Sequence, residues 1–366
     1  SRRFDALVIL DAESMSLQAA VPAIARAGQV LAFGDGNLGG PRPFTINIQP
    51  PEAGFGGDEL PSAFDALARI LPVRSLSTVY RGTDKHLLKQ LSDEFYGGRL
   101  SWVPRGDEVA TGERPLTVEY LADGTGMPSA DQEGVESVSA EVNRVVDLVF
   151  EHVRRRPSQS LAVITASPRH AVRVAEAIRV QMANFPWAAD FFAPGAESFR
   201  VVPADRAAGL VRDAVIFSLG FGRTPHGRAL HNFGLLSEPG GRGRFVNAMT
   251  RARYRLHVLT CFRPSDLDES RLGHGARDFY QLLVRELDGG PAQPAGDRPA
   301  GNSIMADDPL VADLVGRLRS RGAEVWDHYD DVIDIVATVR RSADADPAVP
   351  MAIESDGTAR YRGMSV

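Results

Sequence analysis

Short apolar runs closed by Gly, Pro, Asp or Ser alternate along this chain with longer stretches in which apolar residues recur at helical spacing. Residues 214–219 form such a run, rich in β-formers, with Arg212 and Asp213 before it and Gly220 after it, and read as an interior parallel strand. Residues 161–165 predict the next central strand, and 116–120 and 256–261 two more. Nearer the amino terminus, residues 4–10 end in Asp11, and 29–33 end in Gly34 and Asp35. Between the strands, Val138, Val142, Val145, Val146 and Val149 fall on one face of a helix, and 168–182 predict a second. A short basic helix is expected over 244–255, carrying Arg244, Arg251, Arg253 and Arg255. Strands alternating with helices in this way predict an α/β fold built on parallel sheets.

Glycine and proline punctuate the pattern twice, in a loop over 39–57 and in a Pro/Gly/Ala linker over 288–306. After the linker a helix is predicted over 308–321 with Leu310, Leu314, Val315 and Leu318 inward, followed by extended pieces at 324–326, 332–339 and 351–353. The expected organisation is residues 1–112, 113–287, the linker 288–306, and a small α/β unit over 307–366.

Composition narrows the classes. At 366 residues, with 43% hydrophobic and 24% charged positions, the chain can bury a core in each of several α/β domains. The net charge of −6 speaks against indiscriminate polyanion binding but allows a local basic groove. Cys261 is the sole cysteine and lies in an apolar run, which excludes disulfides and Cys-based metal sites within the chain and fits a reducing cytoplasm. No signal peptide and no apolar span of membrane length is visible. The only lysines are Lys85 and Lys89, and neither lies in the Gly-Lys-Ser/Thr setting that a phosphate-binding P-loop requires.

Several residues carry candidate chemistry. Ligands of open α/β sheets sit at the carboxyl ends of strands, and guanidinium groups there suit a phosphate, which arginine grips in bidentate fashion. A basic helix face that merely solvates the surface remains an equal reading of the same arginines. A strand ending in a carboxylate, as at Asp11, is where Mg²⁺ is held beside phosphates in nucleotide-binding sheets. Thr165 and Ser167, at the end of a strand, are open to two readings: contact with a nucleic-acid backbone, or capping of the following helix.

The segment from Arg212 to Arg253, RDAVIFSLGFGRTPHGRALHNFGLLSEPGGRGRFVNAMTRAR, resembles the closing motifs of superfamily 1 helicases and ends in the matching Thr250-Arg251-Ala252-Arg253. The resemblance implies RecA-like motor domains, the first incomplete, with Arg251 reaching the γ-phosphate of ATP, Arg253 beside it, and Thr250 near nucleic acid. Residues 208–211 (Ala-Gly-Leu-Val) stand where that family has Gln-Gly-x-Glu, so Gly209 alone matches, and the family's Asn falls at Val246. Residues 11–14 (Asp-Ala-Glu-Ser) resemble the helicase Asp-Glu-Ala-Ser, implying Asp11 on Mg²⁺ and Glu13 as the acid that activates water. Glu13 sits one residue late, and an extended backbone would turn it to the opposite face. Gly34-Asp35 resembles the γ-phosphate-sensing Gly-Asp-x-x-Gln element, with Leu38 at the Gln position, and residues 76–81 and 95–100 resemble a segment whose arginine, here Arg81, touches the γ-phosphate.

Residues 307–366 resemble the Vsr-like, restriction-endonuclease-like domain that ends many such bacterial proteins. The matches are Ile333-Asp334-Ile335 and Ile353-Glu354-Ser355-Asp356-Gly357. The resemblance implies Asp334, Glu354 and Asp356 as ligands of a catalytic Mg²⁺, although no lysine is available there and Val311 falls at the family's first-helix Glu. The implied whole is a carboxy-terminal part of a helicase-like ATPase that needs ATP and Mg²⁺, a missing amino-terminal motor region, and nucleic acid, DNA above RNA. An incomplete first sheet should then be exposed, and this chain alone should not hydrolyse ATP. Substitutions at Ala12, Leu38, Ala208, Val211 and Val246 keep two rivals open: a degenerate pseudo-helicase scaffold, and a nuclease positioned by a motor remnant.

Overall fold

The computed structural model describes residues 3–41, 61–81, 84–102, 114–128, 134–289, 309–329, 333–338 and 350–353. In chain order the elements are β1 (Phe4–Ile9), α1 (Leu17–Ile24), β2 (Ala27–Ala32), α2 (Ala63–Ala68), β3 (Thr78–Val79), α3 (Lys85–Phe95) and β4 (Ser101–Trp102). There follow β5 (Leu116–Tyr120), β6 (Val135–Glu136), α4 (Ser139–Arg155), β7 (Leu161–Thr165), α5 (Pro168–Met182), β8 (Arg200–Pro203) and β9 (Arg212–Ser218). Then come β10 (Phe221–Gly222), α6 (Gly241–Met249), β11 (Ala252–Thr260) and α7 (His274–Leu283), and last α8 (Pro309–Ser320), β12 (Glu324–Tyr329), β13 (Ile333–Thr338) and β14 (Pro350–Ile353). Two compact units result, Ser1–Leu76 with Leu116–Gly290, and Ser77–Pro115 with Pro291–Val366.

The first unit is built on a five-stranded parallel sheet of order β5-β11-β9-β7-β8, so β9 and β7 are interior, as their unbroken apolar runs predict. One face packs under α4 and α5, where Val142, Val145, Val149, Val174 and Ile178 meet Leu161, Val163, Ala214 and Ile216. On the other face the ring of Phe217 lies 5.8 Å from that of Phe279 in α7. The predicted basic helix is shorter than the residue pattern implies. It ends at Met249, Thr250 caps it by donating to the Val246 and Asn247 carbonyls, and residues 252–260 join the sheet instead.

Also in this unit, β1 and β2 form a two-stranded parallel pair. Ile9, Ala12, Ala20, Ala63 and Leu67 make a small core on one side, while Phe4, Val8 and Leu31 stay about half exposed on the other. Parallel sheets normally bury both faces, whereas here one face of the pair is left half exposed.

In the second unit β3 and β4 pair in parallel, and β12-β13-β14 form an antiparallel sheet. Val311, Val315, Ile335 and Ala337 make a core between α8 and that sheet. Leu310, expected to face inward, is 51% exposed, and its neighbour Val311 is buried in its place. Among the described residues no helix is long and apolar enough to cross a membrane.

Candidate functional site

The chain leaves β1 through a sharp turn. Asp11 adopts a left-handed backbone with φ of 51°, and the Ser14 N–H returns to its carbonyl at 2.9 Å. This corrects the expectation of an extended segment carrying Glu13 to the far face. The turn folds Glu13 inward, where its Oε2 accepts the Asp35 N–H at 3.2 Å. Burial pushes the Glu13 carboxyl above its usual range, against the lowering effect of that hydrogen bond. Asp35 in turn accepts the Asn37 N–H at 2.9 Å and starts the turn that carries residues 37–39 onto α6. Gly243 makes that approach possible, since a Cβ there would stand 2.7 Å from the Asn37 carbonyl oxygen.

Gly209, in the loop before β9, has φ of +70°, and a Cβ on it would stand 3.8 Å from Asp11 Oδ2. Asp11, Glu13, Asp35, Gly209 and α6 are thus gathered at one place in the first unit, although they come from opposite ends of its sequence. Asp11 is exposed and Glu13 buried. Among the described residues no three His, Cys, Asp or Glu side chains converge as a metal site.

Arg251 follows α6 directly, is 8% exposed, and donates from Nη2 to Thr250 Oγ1 at 2.9 Å. Its carbonyl accepts the Arg212 N–H, which places it at the amino edge of the sheet rather than at the carboxyl ends where the sequence reading put the guanidinium groups. Arg253 lies on the same edge. It donates to Glu197 and to Asp213, the latter at 3.0 Å, and its guanidinium holds the Glu197 carboxyl down to about 2. These two carboxylates hold the Arg253 guanidinium at that edge. Arg81 is exposed in the second unit.

The hydroxyls proposed for nucleic acid are committed within the fold. Thr165 is fully buried and donates to the Ser167 carbonyl at 2.7 Å. Ser167 caps α5 by accepting the His170 N–H and donates to Glu136. Capping, the second of the two readings of these residues, describes Ser167, while Thr165 braces the carbonyl of that cap residue. Asp334 is 3% exposed on the central strand of the antiparallel sheet, and Glu354 and Asp356 lie outside the described residues.

One constellation escaped the sequence reading. At the carboxyl ends of β7 and β9, Glu141 is fully buried and accepts from Ser218 Oγ at 2.7 Å, the Gly220 N–H at 2.8 Å and Cys261 Sγ at 3.5 Å. Because the Ser218 hydroxyl proton points to Glu141, its oxygen receives His170 Nε2–H at 2.7 Å, and His170 Nδ1 accepts from the Ser137 hydroxyl at 2.9 Å. Burial raises the Glu141 carboxyl to about 7, and burial with the nearby Arg173 charge lowers His170 to about 3. The signal in the sequence was a carboxylate at position 141 inside the Val138, Val142, Val145, Val149 stripe, a charge on an otherwise apolar helix face.

Comparison with known proteins gives the following. No protein-family model matches the chain, and no curated protein matches it. Among solved structures, it is similar at 18% identity and a TM-score of 0.26 to the C-terminal domain of a possible DNA helicase from Lactobacillus plantarum WCFS1, over 50% of this chain and 86% of that one. It is also similar, at 13% identity and a TM-score of 0.21, to the helicase nsp10 of PRRSV, over 69% of this chain and 35% of that one.

Proposed function

We propose that this chain is the carboxy-terminal portion of a superfamily 1 helicase-like ATPase acting on nucleic acid, DNA in the first instance, and that it does not hydrolyse ATP by itself. The observation that supports this reading is the gathering of Asp11, Glu13, Asp35 and Gly209, residues to which the helicase resemblance gives roles toward ATP and its metal. Mg²⁺ bound beside ATP neutralises the phosphate charge that develops during phosphoryl transfer. Asp11 is the exposed carboxylate suited to hold it. Glu13, buried against the Asp35 N–H, fixes the turn that presents Asp11. Arg251 is the proposed γ-phosphate ligand, and the remaining phosphate contacts belong to an amino-terminal motor region with a P-loop.

The test is single-strand-stimulated ATP hydrolysis by the full-length parent and its Arg251→Ala variant. Activity should fall by about a thousandfold in the variant, the scale of losing an arginine that stabilises transferring phosphate. Equal rates in both would remove Arg251 from the mechanism. No hydrolysis in either, with strand binding intact, would replace the motor with the scaffold reading.

A further inference from the structure

A second cluster in the first unit lies away from the Asp11 turn. Tyr120 ends β5, and Arg263 follows β11, the strand paired beside it, with its guanidinium carbon 4.7 Å from the centre of the Tyr120 ring. Arg223 follows β10, and its guanidinium carbon lies 5.8 Å from the same centre. The carboxyl ends of separate strands therefore deliver one aromatic ring and two cations to the edge where open α/β sheets bind ligands. The Arg223 backbone is pinned on both sides, donating to the Gly124 carbonyl and accepting the Gly126 N–H, each at 2.9 Å. A tight turn from Thr224 to Arg228, closed by the Thr224 N–H to the Arg228 carbonyl, brings a third arginine back beside this strand.

These cations differ from the others of the unit. Arg144, Arg242, Arg244, Arg253 and Arg277 are paired with carboxylates. Among the described residues Arg223, Arg228 and Arg263 have no such partner, and Arg223 Nε is buried without an acceptor. Asp266 accepts the Arg263 main-chain N–H at 2.7 Å. Arg223 donates from Nη2 to the Ala122 carbonyl, which fixes its plane beside the ring, while the exposed Arg263 guanidinium against Tyr120 keeps its edge N–H groups for phosphate oxygens, and an aromatic ring among cations is the platform on which unstacked bases lie.

We infer that Tyr120, Arg223, Arg228 and Arg263 bind the backbone and a base of single-stranded nucleic acid. The inference rests on the nucleic-acid part of the function proposed above and moves the contact from Thr165 and Ser167 to this cluster. The test measures anisotropy of a labelled oligothymidine with the 366-residue chain across a range of salt. Arg263→Ala and Tyr120→Leu should each weaken binding about tenfold, and Arg263→Ala should also flatten the slope of log affinity against log salt by about 0.7, the value for one lost single-strand phosphate contact. Arg179→Ala, on the outer face of α5, should change neither. If the chain binds and the Arg263 and Tyr120 variants match it in affinity and slope, the cluster is excluded while the nucleic-acid reading survives. If the unaltered chain fails to bind at low salt, both are overturned. Arg263 is exposed, so its variant should keep the parent's melting temperature, which separates lost contact from lost fold.

Discussion

Glu141 and His170, linked through Ser218, bias stability in opposite directions with pH. With its carboxyl raised to about 7, Glu141 keeps a proton in the folded chain that the unfolded chain loses above 4.5, so its contribution to stability grows as pH falls from 7 to 4.5. His170 is lowered to about 3, so below 6.5 the unfolded chain takes up a proton that the folded chain refuses, and stability is lost on acidification through that range. Each slope is at most about 1.4 kcal/mol per pH unit, and between 4.5 and 6.5 they oppose. Glu141→Gln removes one of the two. Its urea midpoint should drop more steeply than the parent's between pH 6.5 and 5, and parallel profiles for the two proteins would show that Glu141 holds no proton there. Side chains at this scale were legible where the partner is local, as at Ser167, whose cap of the following helix was one of two open readings. They were not legible at Arg253, whose partners, Glu197 and Asp213, are set by how the chain closes on itself.

Among the elements, β5, β7 and α5 have the bounds that the apolar pattern predicts, because each is a run ended by a polar or small residue. The basic segment differed. Arg253 and Arg255 suit a helix face as well as a strand, and pairing of β11 with both β9 and β5 decided for the strand. The close seat of residues 37–39 on α6 is likewise tertiary, and it reverses an ordinary rule. Gly→Ala inside a helix usually stabilises by about 0.5–1 kcal/mol. Gly243→Ala should instead destabilise by about 1 kcal/mol or more, since the new Cβ would stand 2.7 Å from backbone atoms at Asn37 and Leu38. A thermal melt decides by its sign: a higher melting temperature would mean that 37–39 do not rest on α6, and the turn that presents Asp11 would lose its support.

For the whole molecule, two units with separate cores predict separate unfolding. Trp187 belongs to the first unit, and Trp326 packs with Tyr329, Ile333 and Val336 in the second. Single-tryptophan variants retaining one or the other should show urea transitions at different midpoints, and coincident curves would mean that the units unfold as one. The sequence by itself determined the α/β class and the interior strands, because apolar period is a local property. Only the tertiary structure decided that Glu13 turns inward, that Arg251 stands at the amino edge, that Glu141 accepts hydrogen bonds from Ser218, Gly220 and Cys261, and that Tyr120 meets Arg223 and Arg263. Each of these depends on strands far apart in the chain becoming neighbours, and the order of strands in a sheet follows from the packing of helices on its faces, which no single stretch of sequence encodes.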